Sequence, residues 1–243
     1  MIKFLFDKII SFFGLIIFSP VFFILPIIIY FQDKGNPFYC PLRVGKNNKY
    51  FKMIKFRSMK LNADKNKIDS TKNNDQRITS IGKTIRKYKF DEISQLLNVL
   101  FNSMSLIGPR PNIDRETNLY TDVEKQILNI KPGITDFSSI VFSDEGSILE
   151  GSEDPNLDYN QLIRPWKSRL CLLYLKNNNI IIDIQILFLT LLNMVNRKSS
   201  LKIISNIVRK ISNDNELADI CLRDKKLIPK PPPGRNKLVQ SRD

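Results

Sequence analysis

Asp91 and Glu92 are adjacent acids where a helical pattern begins: Ile93, Leu96, Leu97 and Leu100 follow at helical spacing. The pattern predicts a helix starting near Asp91, with that residue as its cap or in its first turn. The positive end of a helix holds carboxylates ionised. Neighbours on a helix point about 100° apart, so the pair is unlike two acids sharing one proton. It suits a division of roles, in which one carboxylate attacks and the other holds a metal or handles a proton. An ordinary capped helix carries the same two residues, and what sets this one apart is its surroundings. Arg86 precedes the pair, and Arg110 follows in a Gly-Pro-Arg-Pro turn, residues 108–111. A guanidinium fork matches phosphate oxygens, and the flanking prolines fix its backbone. Neither a G-x-x-x-x-G-K-[ST] nor a G-x-G-x-x-G motif occurs, so the turn reads as an arginine clamp for a diphosphate.

Composition narrows the chemistry further. The 243 residues carry 38 Lys+Arg against 24 Asp+Glu, a formal charge of +14. Such a surface seeks phosphate, whether in nucleic acid, lipid head groups or small molecules. Histidine is absent, which excludes His-based triads, His metal sites and phosphohistidine, and leaves acid–base work to Asp, Glu, Lys or Tyr. Cys40, Cys171 and Cys221 show neither zinc spacing nor a disulfide framework and read as reduced thiols.

The elements around the acids follow from hydropathy. Ile9 to Gln32 contains no charged residue, long enough at about 1.5 Å per residue to cross a hydrocarbon core of roughly 30 Å. The run is too long for a cleavable signal, and no small-residue cleavage site follows it. Ser19-Pro20 sits in its middle and Pro26 beyond, so a break that returns the chain to its face of entry is expected in place of a straight span. Lys3 and Lys8 on one flank and Lys34, Arg43, Lys46 and Lys49 on the other place both ends on the cytoplasmic side. Residues 43–60 alternate apolar and cationic, as a strand would, and 61–77 read as a mobile polar loop. Helices are expected over 78–89, from Asp91 to the 108–111 turn, over 114–130 and over most of 161–196. Residues 131–146 read as a turn and a short extended segment. The apolar run 180–195, interrupted by Asp183 and Gln185, reads as an interfacial amphipathic helix, and the proline-rich tail as unstructured.

Three blocks, KFRSM (55–59), DEISQLLNVLFNSMSLIGPRP (91–111) and KPGIT (131–135), resemble the hallmarks of the bacterial sugar transferase family, the small monotopic polyprenyl-phosphate phosphoglycosyl transferases. The Ser-Pro within an apolar run resembles that family's re-entrant membrane helix, and the likeness covers about residues 1–195. It implies transfer of a sugar 1-phosphate from a UDP-sugar to polyprenyl (undecaprenyl) phosphate with release of UMP, the first membrane step of surface polysaccharide or glycoconjugate assembly. It implies Asp91 as the nucleophile of a phosphosugar-enzyme intermediate, Glu92 with Asp91 as ligands of Mg²⁺, and Lys55, Arg57, Arg86 and Arg110 as substrate-binding residues. Two departures stand out. DFSSIVFSDEG (136–146) replaces the Gly, Gln and Asn-Gly-Arg-like run of many members, and Cys171 stands three residues before Tyr174 where many have Asp. Asp136, Ser138 and Ser139 become candidate sugar or nucleotide contacts, and Arg164 and Arg169 candidates for a phosphate or lipid surface.

The expected fold is mostly helical α+β: a re-entrant hairpin over 1–34, a catalytic domain over 35–200 lying on the cytosolic face of the bacterial inner membrane, and a helix with a disordered tail over 201–243. Partners would be a UDP-sugar, polyprenyl phosphate and membrane lipids. No nucleic acid is expected, because aromatic and basic residues interleave only over 43–60 and no nucleic-acid motif occurs. A homo-oligomer is left open. The rival readings are a membrane-anchored basic scaffold without catalysis and a nucleic-acid binder drawn by charge. Release of UMP from a UDP-sugar separates all three.

Overall fold

The uncharged N-terminal run folds as two helices. α1 (Ile2–Ile17) stops at Phe18, and α2 (Ser19–Asp33), with a proline in its first turn, leaves at a bend of 59°. Pro20 has no N–H to continue the ladder and its ring crowds the preceding turn, whereas Pro26 is carried inside α2. This computed structural model describes residues 1–63 and 75–240, so most of the expected mobile loop lies outside the described residues. Among those described, no single helix is long and apolar enough to cross a membrane; the bent pair meets that test jointly.

Each helix of the pair keeps one face on the rest of the protein. Asp7 and Ser11 of α1 are buried, and a Cβ at Gly14 would already stand 3.0 Å from Leu96. Leu25 and Ile29 of α2 form a small core with Phe56 and Ile85. The opposite faces leave Phe12, Phe13, Ile17, Phe23, Ile27 and Phe31 exposed. Polar contacts fasten the start of α1: Lys3 pairs with Asp183 at 2.6 Å, and Asp7 accepts from the Ser105 hydroxyl at 2.7 Å.

Among the described residues, six short strands pair in twos. β1 (Phe38–Tyr39) runs antiparallel to β4 (Lys55–Phe56), and β2 (Leu42–Val44) antiparallel to β3 (Tyr50–Lys52). β5 (Ser105–Ile107) lies parallel to β6 (Gly133–Thr135). Between β1 and β5 come α3 (Ser80–Lys87), α4 (Phe90–Ile93) and α5 (Gln95–Leu100). The expected single helix over 114–130 is instead α6 (Asp114–Asn118), α7 (Asp122–Lys125) and a 3₁₀ turn, Gln126–Asn129. The restart has a local cause: Thr121 and Glu124 form a reciprocal capping box that begins a new helix. After the short strand β6, the segment expected to stay extended turns helical as α8 (Phe137–Val141) and α9 (Glu145–Ile148), because the Asp136 carboxylate caps α8.

α10 (Pro155–Asp158) and a π-helical turn, Tyr159–Ile163, lead into α11 (Arg164–Asn177) and α12 (Ile180–Val195). The expected amphipathic α12 is apolar on both sides. Ile186 and Leu189 are buried, Ile184, Phe188 and Leu191 are exposed, and Asp183 faces inward, where Tyr174 donates to it at 2.6 Å. α13 (Arg197–Ser212) runs through the expected boundary at residue 200, and α14 (Asn215–Leu222) follows. Both helices share one apolar core with α11 and α12, built around Trp166, Leu170, Ile186, Ile204 and Cys221. In the tail, residues 223–240 hold no helix or strand, and the Pro233 carbonyl accepts from Thr121, that of Pro231 from Arg169 and that of Val239 from Gln161. Prolines lack a donor but keep a carbonyl, and these carbonyls dock the chain.

Candidate active site

The acids owe their position to a left-handed turn. Lys89, at φ 57°, ends the α3 segment and opens α4, whose first turn holds Asp91 and Glu92. Asp91 is therefore a first-turn residue, one of the two alternatives expected. The chain breaks again at Ser94, whose hydroxyl donates to the Ile54 carbonyl at 3.0 Å. One turn on, the Asn98 amide accepts from the Ile54 N–H and donates to the Lys52 carbonyl, each at 2.8 Å. Ser94 and Asn98 thus clamp residues 52–54 along α4 and α5, and this register brings Lys55 beside Asp91. Sequence reading missed both. Their signal was present: two polar residues at one-turn spacings after Asp91, interleaved with the apolar Ile93, Leu96, Leu97 and Val99.

Lys55, Arg86, Asp91, Glu92 and Arg110 form one electrostatically coupled group, each acting on Asp91 or Glu92. Arg110 donates to Glu92 at 2.8 Å. The turn that presents it is braced by β5 and β6: the Gly133 N–H donates to the Pro109 carbonyl at 2.9 Å, and a Cβ at Gly133 would fall 2.1 Å from the Gly108 nitrogen. Arg86 is steered by the Ser58 hydroxyl, which accepts from its Nε at 3.0 Å.

The two acids titrate apart. Burial pushes the Asp91 carboxyl upward, opposed chiefly by Lys55. Burial also raises Glu92, but Arg110, Lys89 and Lys55 outweigh it and bring that carboxyl down to about 2. Burial and Arg110 lower the Lys55 ammonium to about 8. Glu92 is thus the permanent anion and partner of Arg110, and Asp91 the more basic carboxylate. Lys55, Arg86 and Arg110, with the exposed Lys89 beyond them, outnumber the two carboxylates, a surplus that suits phosphate oxygens.

Arg57 stands apart from this group. Its two terminal nitrogens donate to the two oxygens of Asp33, at the end of α2, each at 2.6 Å. The secondary candidates are also placed elsewhere. Asp136 is fully buried and accepts from Ser138, from Ser139 and, at 3.2 Å, from the Cys171 thiol. The two places where the sequence departs from the family pattern therefore touch each other and belong to the core. Arg164 is buried against Glu124 at 2.6 Å, and Arg169 spans the Pro165 and Pro231 carbonyls; neither faces outward as a free phosphate ligand.

Among the described residues no group of three or more His, Cys, Asp or Glu converges as a metal cage. Two adjacent carboxylates beside a set of cations is the donor chemistry that suits Mg²⁺, which takes one or two carboxylates and completes its shell with phosphate oxygens and water.

The family described as bacterial sugar transferase matches residues 1–197. The exopolysaccharide production protein ExoY of Sinorhizobium fredii is 35% identical over 145 residues, 54% of this chain and 64% of that protein. The UDP-glucose:undecaprenyl-phosphate glucose-1-phosphate transferase of Klebsiella pneumoniae is 31% identical over 198 residues, 80% of this chain and 40% of its own length. The undecaprenyl-phosphate galactose phosphotransferase of Salmonella typhimurium is 34% identical over 203 residues, 76% of this chain and 38% of its length. The chain thus spans less than two thirds of each of these relatives.

Proposed function

The chain belongs to the bacterial sugar transferase family, and from that premise we propose that it transfers a sugar 1-phosphate from a UDP-sugar to polyprenyl phosphate, releasing UMP. The observation that carries the reading is Asp91, buried in a helix's first turn among Lys55, Arg86 and Arg110. In the first step an Asp91 oxygen attacks the phosphorus that bears the sugar. The bond from that phosphorus to the bridging oxygen breaks, and UMP leaves with the oxygen. In the second step an oxygen of polyprenyl phosphate attacks the same phosphorus and frees the Asp91 carboxylate, giving a polyprenyl diphosphosugar.

Each neighbour has a part. Arg110, oriented by Glu92, and Lys55 offset the charge of the diphosphate and of the leaving phosphate. Arg86, held by Ser58, approaches Asp91 from α3 and suits the acceptor phosphate. The raised Asp91 carboxyl is more basic and hence more nucleophilic once ionised than Glu92. Mg²⁺, held by Glu92 and Asp91, would add charge neutralisation at the diphosphate.

The bent helix pair is read as a re-entrant hairpin at the cytosolic face of the bacterial inner membrane. Its two ends favour this topology: Lys3 is tied to Asp183 and Asp33 to Arg57, so both return to the same body of the protein. The exposed apolar faces of α1, α2 and α12 suit contact with lipid and access to a lipid-borne acceptor. The test is the full chain in vesicles, given a panel of UDP-sugars with polyprenyl phosphate and followed by UMP release. Release with none of the donors would refute the reading.

A further inference from the structure

We infer that Arg57 is a positioning residue, which with Asp33 forms a clamp that sets the membrane hairpin in register with the site at Lys55, Arg86 and Asp91. The inference rests on the phosphosugar-transfer reading above, and it assigns Arg57 a role other than substrate binding.

The terminal fork of the guanidinium is committed, while its buried Nε has no hydrogen-bond partner among the described residues. Both terminal nitrogens donate to Asp33 at 2.6 Å, and the residue is 7% exposed. The chain folds tightly over the pair: the Gly35 N–H donates to Asp33 at 3.0 Å, and a Cβ at Gly35 would stand 3.0 Å from an Arg57 nitrogen. A phosphate could take this fork only by displacing Asp33.

The neighbours of Arg57 show what the clamp transmits. Lys55 acts on Asp91. Phe56 lies between Phe38 and Phe22 of α2, with ring centroids 5.2 and 5.4 Å away. Arg57 holds the last residue of α2. Ser58 steers Arg86. Of these four consecutive side chains the outer two therefore reach to the site and the inner two to the hairpin. A shift of α2 would pass directly to the two cations that flank the nucleophile. The donor arrives from water, but the acceptor phosphate arrives at a height set by the bilayer, and the hairpin sets the height of the site. The clamp therefore matters most for the step that consumes the lipid acceptor.

The test compares R57A, R57K and D33A with wild type as full chains in the same vesicles. It measures UMP release against donor and polyprenyl phosphate concentrations, together with thermal unfolding. The clamp predicts that R57A and D33A behave alike, with kcat toward the acceptor falling on the order of 100-fold, the effect of an ångström-scale misplacement, while the KM for the UDP-sugar changes little. R57K recovers part of the loss, since an ammonium keeps the charge but not the two-pronged contact. Full turnover in D33A with a raised donor KM in R57A would make Arg57 a donor ligand and overturn the inference. So would variants that unfold earlier but keep wild-type kcat per folded molecule. The exchange D33R/R57D gives a further check, because it should exceed either single reversal in turnover. A wild-type protein inactive on every donor would instead remove the transfer reading itself.

Discussion

Lys55 offers the sharpest quantitative handle. Its ammonium is brought from 10.5 to about 8, first by burial and then by Arg110. If its charge is needed to receive the diphosphate, kcat/KM for the UDP-sugar should fall above pH 8, by roughly tenfold for each further unit as the protonated fraction declines. Bound phosphate favours the ammonium, so the corresponding limb in kcat should lie at higher pH. Unfolding does not produce this limb. A lysine whose folded value is depressed binds fewer protons folded than unfolded between about 8 and 10.5, so its contribution to stability grows as pH rises through that window. The decisive perturbation is K55R. Arginine stays charged throughout the accessible range, so the variant should lose the limb near 8 while keeping measurable activity, whereas K55M should be slow at every pH. The assay is initial-rate UMP release from pH 6.5 to 10 at saturating polyprenyl phosphate. A wild-type profile flat to pH 9.5, or one that K55R shares, would show that this ammonium is not the group required.

Four further outcomes follow from the same geometry. R110A should lower kcat/KM about 10- to 150-fold, the loss of a charge-assisted contact of about 1.5–3 kcal/mol; full activity would remove Arg110 from the site. Given a UDP-sugar without acceptor, wild type should release a burst of UMP and gain one sugar phosphate on the peptide containing Asp91, seen by mass spectrometry and missing in D91N; UMP that appears only with acceptor, and no adduct, would favour direct displacement. E124A leaves Arg164 buried without its partner and should destabilise the fold by about 3–5 kcal/mol, read by chemical unfolding, and a change below 1 kcal/mol would count against the pair. P20L should allow α1 and α2 to run on as one helix. In a Cys40→Ser background, since Cys40 is the exposed thiol, a cysteine placed before Met1 should then become labelled from outside spheroplasts, and an unlabelled variant would show that the proline does not enforce the return.

Some of this protein could be read from local chemistry alone. The break at Pro20, the acids in the first turn after Lys89 and the arginine between two prolines each depend on residues within a few positions of one another. Proline geometry, helix-end electrostatics and one contiguous block suffice to place them. The polar residues Ser94 and Asn98 were visible too, but nothing local says that their partners lie some forty residues earlier, on the segment that carries Lys55.

What tertiary structure alone decided is the fate of each charge. Arg57, Arg86 and Arg164 look alike in sequence, as basic residues near apolar ones. Packing sends the first to Asp33 at the end of α2, leaves the second beside Asp91 and buries the third against Glu124. Asp136 and Cys171, two separate oddities in the chain, become a single buried contact, and a proline-rich tail becomes a docked strap through carbonyls that only a folded surface can use. The physical reason is common to these cases. Whether a charged or polar group is free to act depends on which partner satisfies it once water is excluded, and that partner is supplied by elements distant in sequence.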